Sequence, residues 1–421
     1  MRLCKVHGYK PKKTGRPAPS LRGAHKADVV IIGSGLTGTT AAYLLSKAGA
    51  DVTLITDETI GNSTSAYTTG FITQSIDTNL ADLEKMFGSE NAGMIWQSGR
   101  DAIEHIEATA HEEEIACEFL RCPYYIYATN DTEYNRLMHE ATSARMFGFE
   151  AYVRRDNRLP FPNGGYLELS AQAKFHALKY LAGLRAAARK YGVRVFDNTK
   201  AESIEEEGDR FLVHVKNGSA EAPWVLIATE YPFNNPWRLF ARTGRYLTYI
   251  IESEIAKRRL PEALYQDVKN PYHYFRVDSG KKRDRLIFGG EDHRHEIMID
   301  QRKIFSALKE FMRTIVPDER LPIRTKWKWS IIEPIDGLPF IGPLGSGQPY
   351  VATGYSGTGI TMSRIAAEMF TDHVRGVRNP WTELYNPRRI PTLKQLLVKG
   401  LDYTGEFMGG AAKNMLRRQK T

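Results

Sequence analysis

A glycine-rich turn near the start of the chain constrains the fold more than any other feature. Val29–Ile32 has the pattern of a buried strand, residues 39–48 that of a helix, and Val52–Ile55 that of a second strand. The turn after the first strand is Gly33-Ser34-Gly35-Leu36-Thr37-Gly38. The first glycine permits a tight turn, the second admits a pyrophosphate, and the third lets helix and strand pack closely. We predict a dinucleotide site with its phosphates at the helix N-terminus, against the alternative of an ordinary glycine-rich turn.

The end of the second strand departs from this pattern. An acidic residue at position 56 would hold the ribose hydroxyls of a dinucleotide. The chain has Thr56 there, followed by Asp57 and Glu58. We predict that Thr56 lies at the ribose end of the site and that Asp57 is a displaced ribose partner, with an ordinary solvated loop acid as the alternative.

Helical and strand-like patterns alternate along the rest of the chain. The predicted helices are residues 80–110, 131–147, 172–191, 301–315 and 360–374. The predicted strands are residues 124–128, 194–197, 211–215, 224–228 and 348–353. Residues 246–290 are β-rich and aromatic, which indicates an inserted antiparallel sheet. A second glycine-rich loop, residues 354–359, follows the last strand, so one discontinuous cofactor-binding domain is predicted to enclose the insertion.

The distribution of charge argues against a nucleic-acid partner. The total charge is +9, but residues 1–26 hold eight Lys or Arg and no acid, and residues 393–421 contribute +4. Removing both segments leaves −3 on residues 27–392, so we expect no basic surface on the folded body. We interpret residues 1–26 as a flexible basic leader, with an organelle transit peptide as the alternative.

The tail and the cysteines bear on location. Residues 391–421 form a basic tail that either packs on the protein surface or contacts a membrane or an electron acceptor. No apolar run approaches the roughly 20 residues that a membrane-spanning helix needs. Cys4, Cys117 and Cys122 contain no Cys-x-x-Cys pair, which argues against an iron–sulfur cluster or a disulfide framework. A reducing, cytoplasmic location is expected.

Several motifs in a fixed order resemble one family of flavoenzymes. After the first glycine turn they are Gly61-Asn-Ser-Thr-Ser65, Thr68-Thr69-Gly70, Pro271-Tyr-His-Tyr-Phe-Arg276, Gly289-Gly-Glu-Asp-His293, Pro334-Ile-Asp-Gly-Leu-Pro-Phe-Ile-Gly-Pro343, Ala352-Thr-Gly-Tyr-Ser-Gly-Thr-Gly-Ile-Thr361 and Asn379-Pro-Trp381. Over residues 27–390 the chain resembles the D-amino-acid oxidase/glycine oxidase/sarcosine oxidase family of FAD-dependent amine oxidoreductases. The resemblance is strongest to members similar to gamma-glutamylputrescine oxidase.

The resemblance implies an α/β fold with a discontinuous, Rossmann-like FAD-binding domain and an inserted, mainly antiparallel β-sheet substrate domain. It assigns residues 27–110, 160–240 and 330–390 to the FAD-binding domain, and residues 111–159 and 241–329 to the substrate domain. Besides the first glycine turn, the implied FAD-binding residues are Thr56, Asp57, Thr64, Ser65, Thr68, Thr69, Ala201, Ala228, Thr229, Gly337, Gly357, Thr358, Gly359, Ile360 and Thr361. Turn capping is the alternative role for the hydroxyl cluster around Thr64 and Thr68.

A helix that begins near Gly359 would point its positive N-terminus at the pyrimidine edge of the flavin, where negative charge accumulates on reduction. Substrate contacts are expected from the insertion and the second glycine loop, at Tyr249, Tyr274, Arg276, His293 and Tyr355. Aromatic walls would enclose an amine or alkyl chain, and Arg276 would bind a carboxylate bidentately. Plain sheet packing is the alternative for the tyrosines, and no metal site is expected.

The implied activity is oxidation of the C–N bond of a primary or secondary amine or an amino acid, by hydride transfer to FAD and hydrolysis of the imine. Sarcosine-oxidase relatives have an oxygen-activating lysine where this chain has Ile287, so an acceptor other than oxygen is considered. No cysteine follows Cys122, so no Rieske domain is expected. The alternatives are an amine dehydrogenase that reduces a quinone or carrier, and a catalytically idle flavoprotein scaffold.

Overall fold

The structure is a computed structural model that describes residues 17–57, 59, 64–233, 239, 241–317, 321–345 and 349–395. Glu58, residues 1–16 of the basic leader and residues 396–421 of the basic tail lie outside the described residues. Within the described part of the chain, no helix is long and apolar enough to cross a membrane.

The helices agree with the predicted ones except at two places. They are α1 (Leu36–Lys47), α2 (Leu80–Phe87), α3 (Ser89–Glu112), α4 (Asp131–Met146), α5 (Ala177–Lys190), α6 (Gln301–Ile315) and α7 (Gly359–Val374), with a 3₁₀ turn at Thr64–Ala66. The predicted helix over residues 80–110 is divided by Gly88, whose φ of +83° ends α2. The predicted helix over residues 172–191 begins only at Ala177, because the preceding residues belong to a strand.

The strands fall into three sheets. They are β1 (Gly23–Lys26), β2 (Val29–Ile32), β3 (Val52–Ile55), β4 (Phe71–Ile72), β5 (Leu120–Ala128), β6 (Ala151–Arg154), β7 (Gly165–Lys174), β8 (Arg194–Phe196), β9 (Ala201–Glu207), β10 (Arg210–Val215), β11 (Gly218–Ala222), β12 (Trp224–Ile227), β13 (Thr243–Ile255), β14 (Leu264–Asp267), β15 (His273–Asp278), β16 (Asp284–Arg294), β17 (Thr325–Pro334), β18 (Phe340–Pro343) and β19 (Tyr350–Thr353).

The central sheet has the first βαβ unit at its middle. Its strand order is β18-β19-β12-β2-β3-β8, and its pairs are parallel except that of β18 with β19. Ile32 at the end of β2 lies beside Ile55 on one side and Ile227 on the other. Every side chain of β2 is buried, which explains its unbroken β-branched sequence. The α1 and α7 helices pack against each other and cover one face of this sheet.

A small sheet with the order β1-β11-β10-β9 covers the opposite face of the central sheet. The prediction of a flexible leader is wrong for residues 17–26, which form β1 and the segment before it. The backbone N–H of Ala18 donates to Asp197 Oδ2 at 2.8 Å, and that of Leu21 donates to Thr199 Oγ1 at 3.0 Å. Both apolar side chains are buried, so these residues are folded despite the basic composition around them.

The large sheet corresponds to the predicted insertion. Its order is β17-β13-β16-β15-β14-β5-β7-β4, and its pairs are antiparallel apart from β14 with β5. The α6 helix covers what we call the outer face, where Leu308 and Met312 pack in one cluster with Phe275 and Phe288. The other face, which we call the inner face, carries Ile250, Tyr274, Arg276 and Trp327 and lies towards the segment that contains Tyr67 and Phe71.

One segment lies in a different sheet from the predicted one. Residues 160–240 are expected in the FAD-binding domain, but β7 pairs with β4, β5 and β6 in the large sheet. Its polar side chains obscure the strand pattern, yet they have partners: Gln172 accepts from the N–H of Gln74 at 2.7 Å, and Lys174 lies 2.7 Å from Asp278. The polar pattern thus reflects buried hydrogen bonds rather than a solvent-exposed segment.

A buried histidine joins the outer face of the large sheet to α6. His273 Nδ1 lies 3.0 Å from Asp267 Oδ2 and Nε2 lies 3.3 Å from Glu291 Oε1, while the ring stacks on Phe311 with 3.9 Å between centroids. Burial lowers the pKa of His273, but the hydrogen bonds to both carboxylates outweigh this effect and raise it to about 9. The imidazolium therefore stabilises the fold at neutral pH.

The raised pKa predicts a loss of stability at alkaline pH. Because protonation is favoured in the folded state, this contribution is fully present below about pH 6.5 and lost as pH rises through about 9. We expect urea unfolding to show a fall of up to about 3 kcal/mol from this group between pH 7 and pH 10. His273→Gln should abolish that part of the fall, whereas His111→Gln, at an exposed position on α3, should leave it intact. Equal pH profiles for the two variants would contradict the assignment.

Candidate active site

The first glycine turn brings three backbone segments into direct contact. Gly33 has a φ of +108°, and a Cβ there would lie 2.6 Å from the carbonyl oxygen of Ala228 at the end of β12. A Cβ on Gly38 would lie 1.8 Å from the carbonyl oxygen of Gly33. Only glycine fits at either position, so the close approach expected at this turn is present.

The N-terminus of α1 remains open to an anion. Its N-cap residue is Gly35, which has no side chain to cap the helix, and the first turn has no acidic residue. By contrast, α2, α4 and α6 begin with capping side chains from Asn79, Asn130 and Asp300. The N–H of Leu36 donates to Ser65 Oγ at 3.0 Å, which places Ser65 beside this turn. The N-terminus therefore suits a pyrophosphate.

The second glycine loop, like the first, leads into a helix that has no side-chain cap at its N-terminus. Gly354 has a φ of +78° and Ser356 one of +49°, and the N–H of Gly357 donates to Asp77 Oδ2 at 2.7 Å. The N-cap residue of α7, Thr358, makes no side-chain cap, and no acid lies in the first turn. Its hydroxyl donates instead to the carbonyl of Tyr355 at 3.1 Å. The positive end of α7 is therefore also available to a ligand.

A hydroxyl cluster connects the two glycine elements. Thr37 Oγ1 donates to Ser363 Oγ at 3.0 Å and shares a hydrogen bond of 3.2 Å with the hydroxyl of Tyr355. The Tyr355 ring packs against the main hydrophobic core. Tyr355, expected to contact substrate, is thus placed between α1 and α7, where it fixes the relative position of the two helix N-termini.

Glu230 is a site residue that the sequence analysis missed. It follows β12, and its carboxylate accepts from Thr64 Oγ1 at 3.1 Å and from Ser330 Oγ at 2.8 Å. Burial raises the pKa of Glu230, and both hydrogen bonds oppose that effect. The residue joins the loop of Thr64 to the central sheet and to β17. The sequence signal that could have identified Glu230 is an acidic residue shortly after a buried strand.

The remaining predicted FAD-binding residues lie around these elements. Thr56 is buried between β3 and β8, accepting from the N–H of Thr199 at 2.7 Å, and Asp57 beside it is exposed. Thr68 accepts from the N–H of Gly70 at 3.3 Å. Ala201 begins β9, Thr229 follows β12, and Gly337 occupies the turn before β18. Thr69 is half-buried. Ile360 and Thr361 are buried in the first turn of α7. Their contacts with FAD stay predictions.

The structure corrects the expected role of Arg276. Its Nη1 donates to the carbonyls of Phe175 at 2.9 Å and Gly70 at 3.3 Å, and its Nη2 donates to Asp278 at 2.9 Å. The residue is only 4% exposed. Both terminal nitrogens are therefore occupied, and a bidentate bond to a substrate carboxylate is not available. Arg276 instead ties the segment ending in Gly70 to the large sheet.

A buried cluster of ions explains why Arg276 is held so firmly. Asp278 accepts from Arg276, from Lys174 at 2.7 Å and from Arg285 at 2.6 Å. Burial disfavours the charged form of Asp278, but the three cations outweigh it and hold the pKa of Asp278 well below its usual range. Asp278 is therefore ionised throughout the physiological pH range.

Tyr249 and His293 lie away from the inner face. Their rings stack with 5.4 Å between centroids, and Tyr249 also packs edge-on against Phe305 of α6. Between the pairs Leu247–His293 and Tyr249–Gly290, β16 has one more residue than β13, and this bulge brings His293 to the same face as Tyr249. The expectation that these two residues contact substrate is therefore corrected: they support the outer face.

The inner face carries an aromatic group that includes one predicted residue. The hydroxyl of Tyr274 shares a hydrogen bond of 3.1 Å with Thr248, and its ring meets Phe71 edge-on. Trp329 stacks on Tyr67 with 3.9 Å between centroids. The sequence analysis did not identify Trp327 and Trp329. Because they are two residues apart, both lie on one face of a strand.

The two open helix ends and the glycine contacts fit FAD. The close backbone approach at Gly33 and Gly38 would hold the pyrophosphate at α1, and the uncapped end of α7 would meet the flavin. A family model described as FAD dependent oxidoreductase matches residues 28–373. The chain belongs to this DAO family. FAD is therefore its cofactor, and the predicted family, fold class and cofactor are confirmed.

Named relatives agree with this assignment. The chain is 28% identical over 401 residues to a Bacillus subtilis protein named "Putative Rieske 2Fe-2S iron-sulfur protein YhfW", covering 93% of this chain and 78% of that protein. It is 23% identical over 389 residues to gamma-glutamylputrescine oxidoreductase of Escherichia coli, covering 86% of each. The crystal structure of glycine oxidase from Geobacillus kaustophilus superimposes with a TM-score of 0.73 at 19% identity, over 87% of this chain and 100% of that one.

The glycine contacts predict a selective loss of cofactor. Gly33→Ala and Gly49→Ala both place alanine at a positive φ, of +108° and +94°, but only Gly33 faces another backbone atom within 4 Å. We expect both variants to lose some thermal stability because of backbone strain. Only Gly33→Ala should also lose FAD affinity, by at least about tenfold, in a titration followed by visible flavin absorbance. Full FAD binding by Gly33→Ala would refute the role of this contact.

Proposed function

We propose that this DAO-family oxidoreductase oxidises the C–N bond of a primary or secondary amine or an amino acid, and that the resulting imine hydrolyses in water. When bound, FAD supplies the acceptor for the hydride on the carbon next to nitrogen. The observation that carries the proposal is that the uncapped N-terminus of α7 lies near the aromatic inner face: Asp77 accepts from the N–H of Gly357 just before α7, and its charge contributes to the raised pKa of Tyr274. The names of the gamma-glutamylputrescine and glycine enzymes among the relatives support the amine class.

The α7 helix can stabilise negative charge on the flavin without an acidic or basic side chain as catalyst. Its first N–H groups belong to Gly359, Ile360 and Thr361, while the carboxylate of Asp77 binds the N–H of Gly357 just before the helix. The partial positive charge of the helix end favours negative charge that develops on the flavin during reduction. Thr358 and Thr361 use their hydroxyls within the loop, which leaves backbone groups to face the ligand.

The inner face favours a neutral amine. Burial raises the pKa of Tyr274, so its phenol stays uncharged, and the rings of Phe71 and Tyr124 are nearby. Burial among these rings lowers the pKa of a bound ammonium group, against the opposing charges of Asp77 and Asp292, which also act on Tyr274. A neutral amine has the free electron pair that helps the hydride leave, so the aromatic wall promotes the reactive form of the substrate.

A dehydrogenase that reduces a quinone or a carrier is the second candidate. Ile287 packs in an apolar cluster with Ile250 and Trp327, against Tyr67. Among the described residues of this cluster, none carries a positive charge that would stabilise superoxide during a reaction with oxygen. The packing of Ile287 therefore favours an electron acceptor other than oxygen.

Spectroscopy tests the proposal directly. Anaerobic mixing with amino acids, N-methylated amino acids and aliphatic diamines should bleach the flavin absorbance with at least one of these classes. Readmission of oxygen then separates an oxidase, which recovers its absorbance at once, from a dehydrogenase, which recovers only with a quinone or a protein carrier. A flavin that dithionite reduces but none of the amines reduces would refute amine oxidation.

Two tyrosines on opposite faces provide a matched pair of variants. Tyr274→Phe removes the hydroxyl that bonds Thr248 on the inner face, whereas Tyr249→Phe removes one from the outer face. We expect Tyr274→Phe to lower kcat/KM for the amine about tenfold, the effect of one lost hydrogen bond, with unchanged FAD content. Tyr249→Phe should change it less than about twofold. Equal effects would mean that Tyr274 acts only in packing.

A further inference from the structure

The indole N–H of Trp329 is a buried hydrogen-bond donor that the fold itself does not use. Trp329 lies in β17, and its side chain is half-buried while Nε1 is fully buried. No acceptor among the residues that the structure describes lies within hydrogen-bond distance of Nε1. A buried donor without a partner destabilises a fold, and such a donor in a protein commonly bonds to water or to a ligand.

The ring of Trp329 is held in place by its neighbours on the inner face. Trp327, two residues earlier, donates from Nε1 to the backbone carbonyl of Tyr67 at 3.0 Å. Tyr67 in turn stacks on Trp329, with 3.9 Å between the ring centroids and 7° between the ring planes. Because the N–H of an indole lies in the plane of its ring, this stack also restricts the direction in which Trp329 donates.

On one side, β17 is tied to the segment beside the N-terminus of α1. Ser330, which follows Trp329, donates from Oγ to Glu230 Oε1 at 2.8 Å, and Thr64 Oγ1 donates to Glu230 Oε2 at 3.1 Å. Ser65, the residue after Thr64, accepts from the first N–H of α1 at 3.0 Å. Trp329 is therefore adjacent to a network that reaches the helix end suited to the pyrophosphate.

On the other side, β17 contacts the second glycine loop. The N–H of Ser356 donates to the carbonyl of Ile332 at 3.0 Å, and a Cβ on Gly354 would lie 2.8 Å from Pro334 Cγ. This loop leads into the uncapped N-terminus of α7, which suits the flavin. Ile332 is three residues from Trp329, or about 10 Å along the strand. The unused N–H thus lies between the two ends of the FAD site.

The surroundings of Trp329 indicate which part of FAD meets the donor. Thr248 lies opposite Trp329 in β13, and its hydroxyl shares a hydrogen bond with that of Tyr274 on the inner face. Phosphates suit helix N-termini and cations, as at α1. The isoalloxazine ring, by contrast, is planar and aromatic, and its carbonyl oxygens and ring nitrogens accept hydrogen bonds. A neutral N–H among aromatic side chains therefore suits the ring better than the phosphates.

We propose that the Nε1–H of Trp329 donates a hydrogen bond to the isoalloxazine ring of bound FAD and stabilises the reduced ring more than the oxidised ring. Negative charge accumulates on the ring during reduction, and a hydrogen bond to a charged acceptor is roughly twice as strong as one to a neutral acceptor. Trp329 thereby helps to set the reduction potential of the flavin. This inference rests on FAD as the cofactor and does not depend on the identity of the amine.

The reduction potential tests the proposal without any amine. Trp329→Phe removes the N–H and keeps an aromatic ring for Tyr67 to stack on. We expect this variant to bind reduced FAD about fivefold more weakly, relative to oxidised FAD, than the parent protein does. For a two-electron couple this lowers the midpoint potential by about 20 mV. The potential of the FAD-loaded protein is measured by anaerobic equilibration with a reference dye.

A second tryptophan provides a matched control. Trp96 Nε1 likewise has no acceptor in the described part of the chain, but Trp96 lies in α3, where its ring packs on Phe149. Trp96→Phe makes the same chemical change away from β17, so we expect it to leave the potential unchanged. The Tm of each variant is measured in parallel, since loss of packing alone lowers the Tm and not the potential.

Nuclear magnetic resonance follows the N–H itself. The chain has six tryptophans, so protein labelled with ¹⁵N at the indoles gives six Nε1–H signals, and the signal lost in Trp329→Phe belongs to Trp329. We expect this signal to move downfield when dithionite reduces the bound FAD, because a stronger hydrogen bond deshields the proton. The signal lost in Trp96→Phe should stay in place.

Four outcomes would overturn the proposal. Equal potentials in the parent protein and Trp329→Phe would do so, as would a Trp329 signal that reduction does not move. Weaker FAD binding at an unchanged potential would assign the N–H to another part of FAD. An equal fall of the potential in Trp96→Phe would show that the effect does not come from the donor on β17.

Discussion

The backbone contact at the first glycine turn determines how the two halves of the site meet. Because the carbonyl oxygen of Gly33 occupies the space that a side chain at residue 38 would need, α1 begins directly against β2. Its N-terminus then lies beside Ala228 at the end of β12, which continues into Thr229 and Glu230. From α1, Thr37 bonds to Tyr355 and so fixes the second glycine loop. Close packing at one turn thereby orients two helix ends towards one cofactor.

The large sheet separates structural and chemical roles between its faces. The outer face is filled by α6 and by stacked rings such as Tyr265 on Phe275. The inner face keeps hydroxyl-bearing and aromatic side chains close to the segment of Tyr67 and Phe71. Arg276 crosses from this face to the carbonyl of Gly70, and Asp278 neutralises it. A buried charge that would be costly alone becomes a connector when a carboxylate and backbone carbonyls compensate it.

Local sequence rules predicted the parts of the site that depend on the backbone. The glycine turns, the order of strand, loop and helix, and the helices from Asp131 and Gln301 follow from steric and periodic rules that act over a few residues. The failures depend on distant partners. The polar strand β7 is stable because Gln74 and Asp278 bond its side chains, and a bulge in β16 brings His293 to the outer face beside Tyr249. Neither partner lies close in the sequence, so no local pattern contains them.

The sheet order also has a consequence for the time at which the protein folds during synthesis. The strand β2 lies beside β12, whose other neighbour is β19, at Tyr350–Thr353. The central sheet therefore lacks two of its strands, β18 and β19, until residues near the end of the described chain have left the ribosome. The side chains of Val29 and Ile31 are made early, but α7, which packs in the same core cluster, follows only at Gly359–Val374. A nascent chain of this architecture therefore exposes apolar strand surface until these late elements are synthesised.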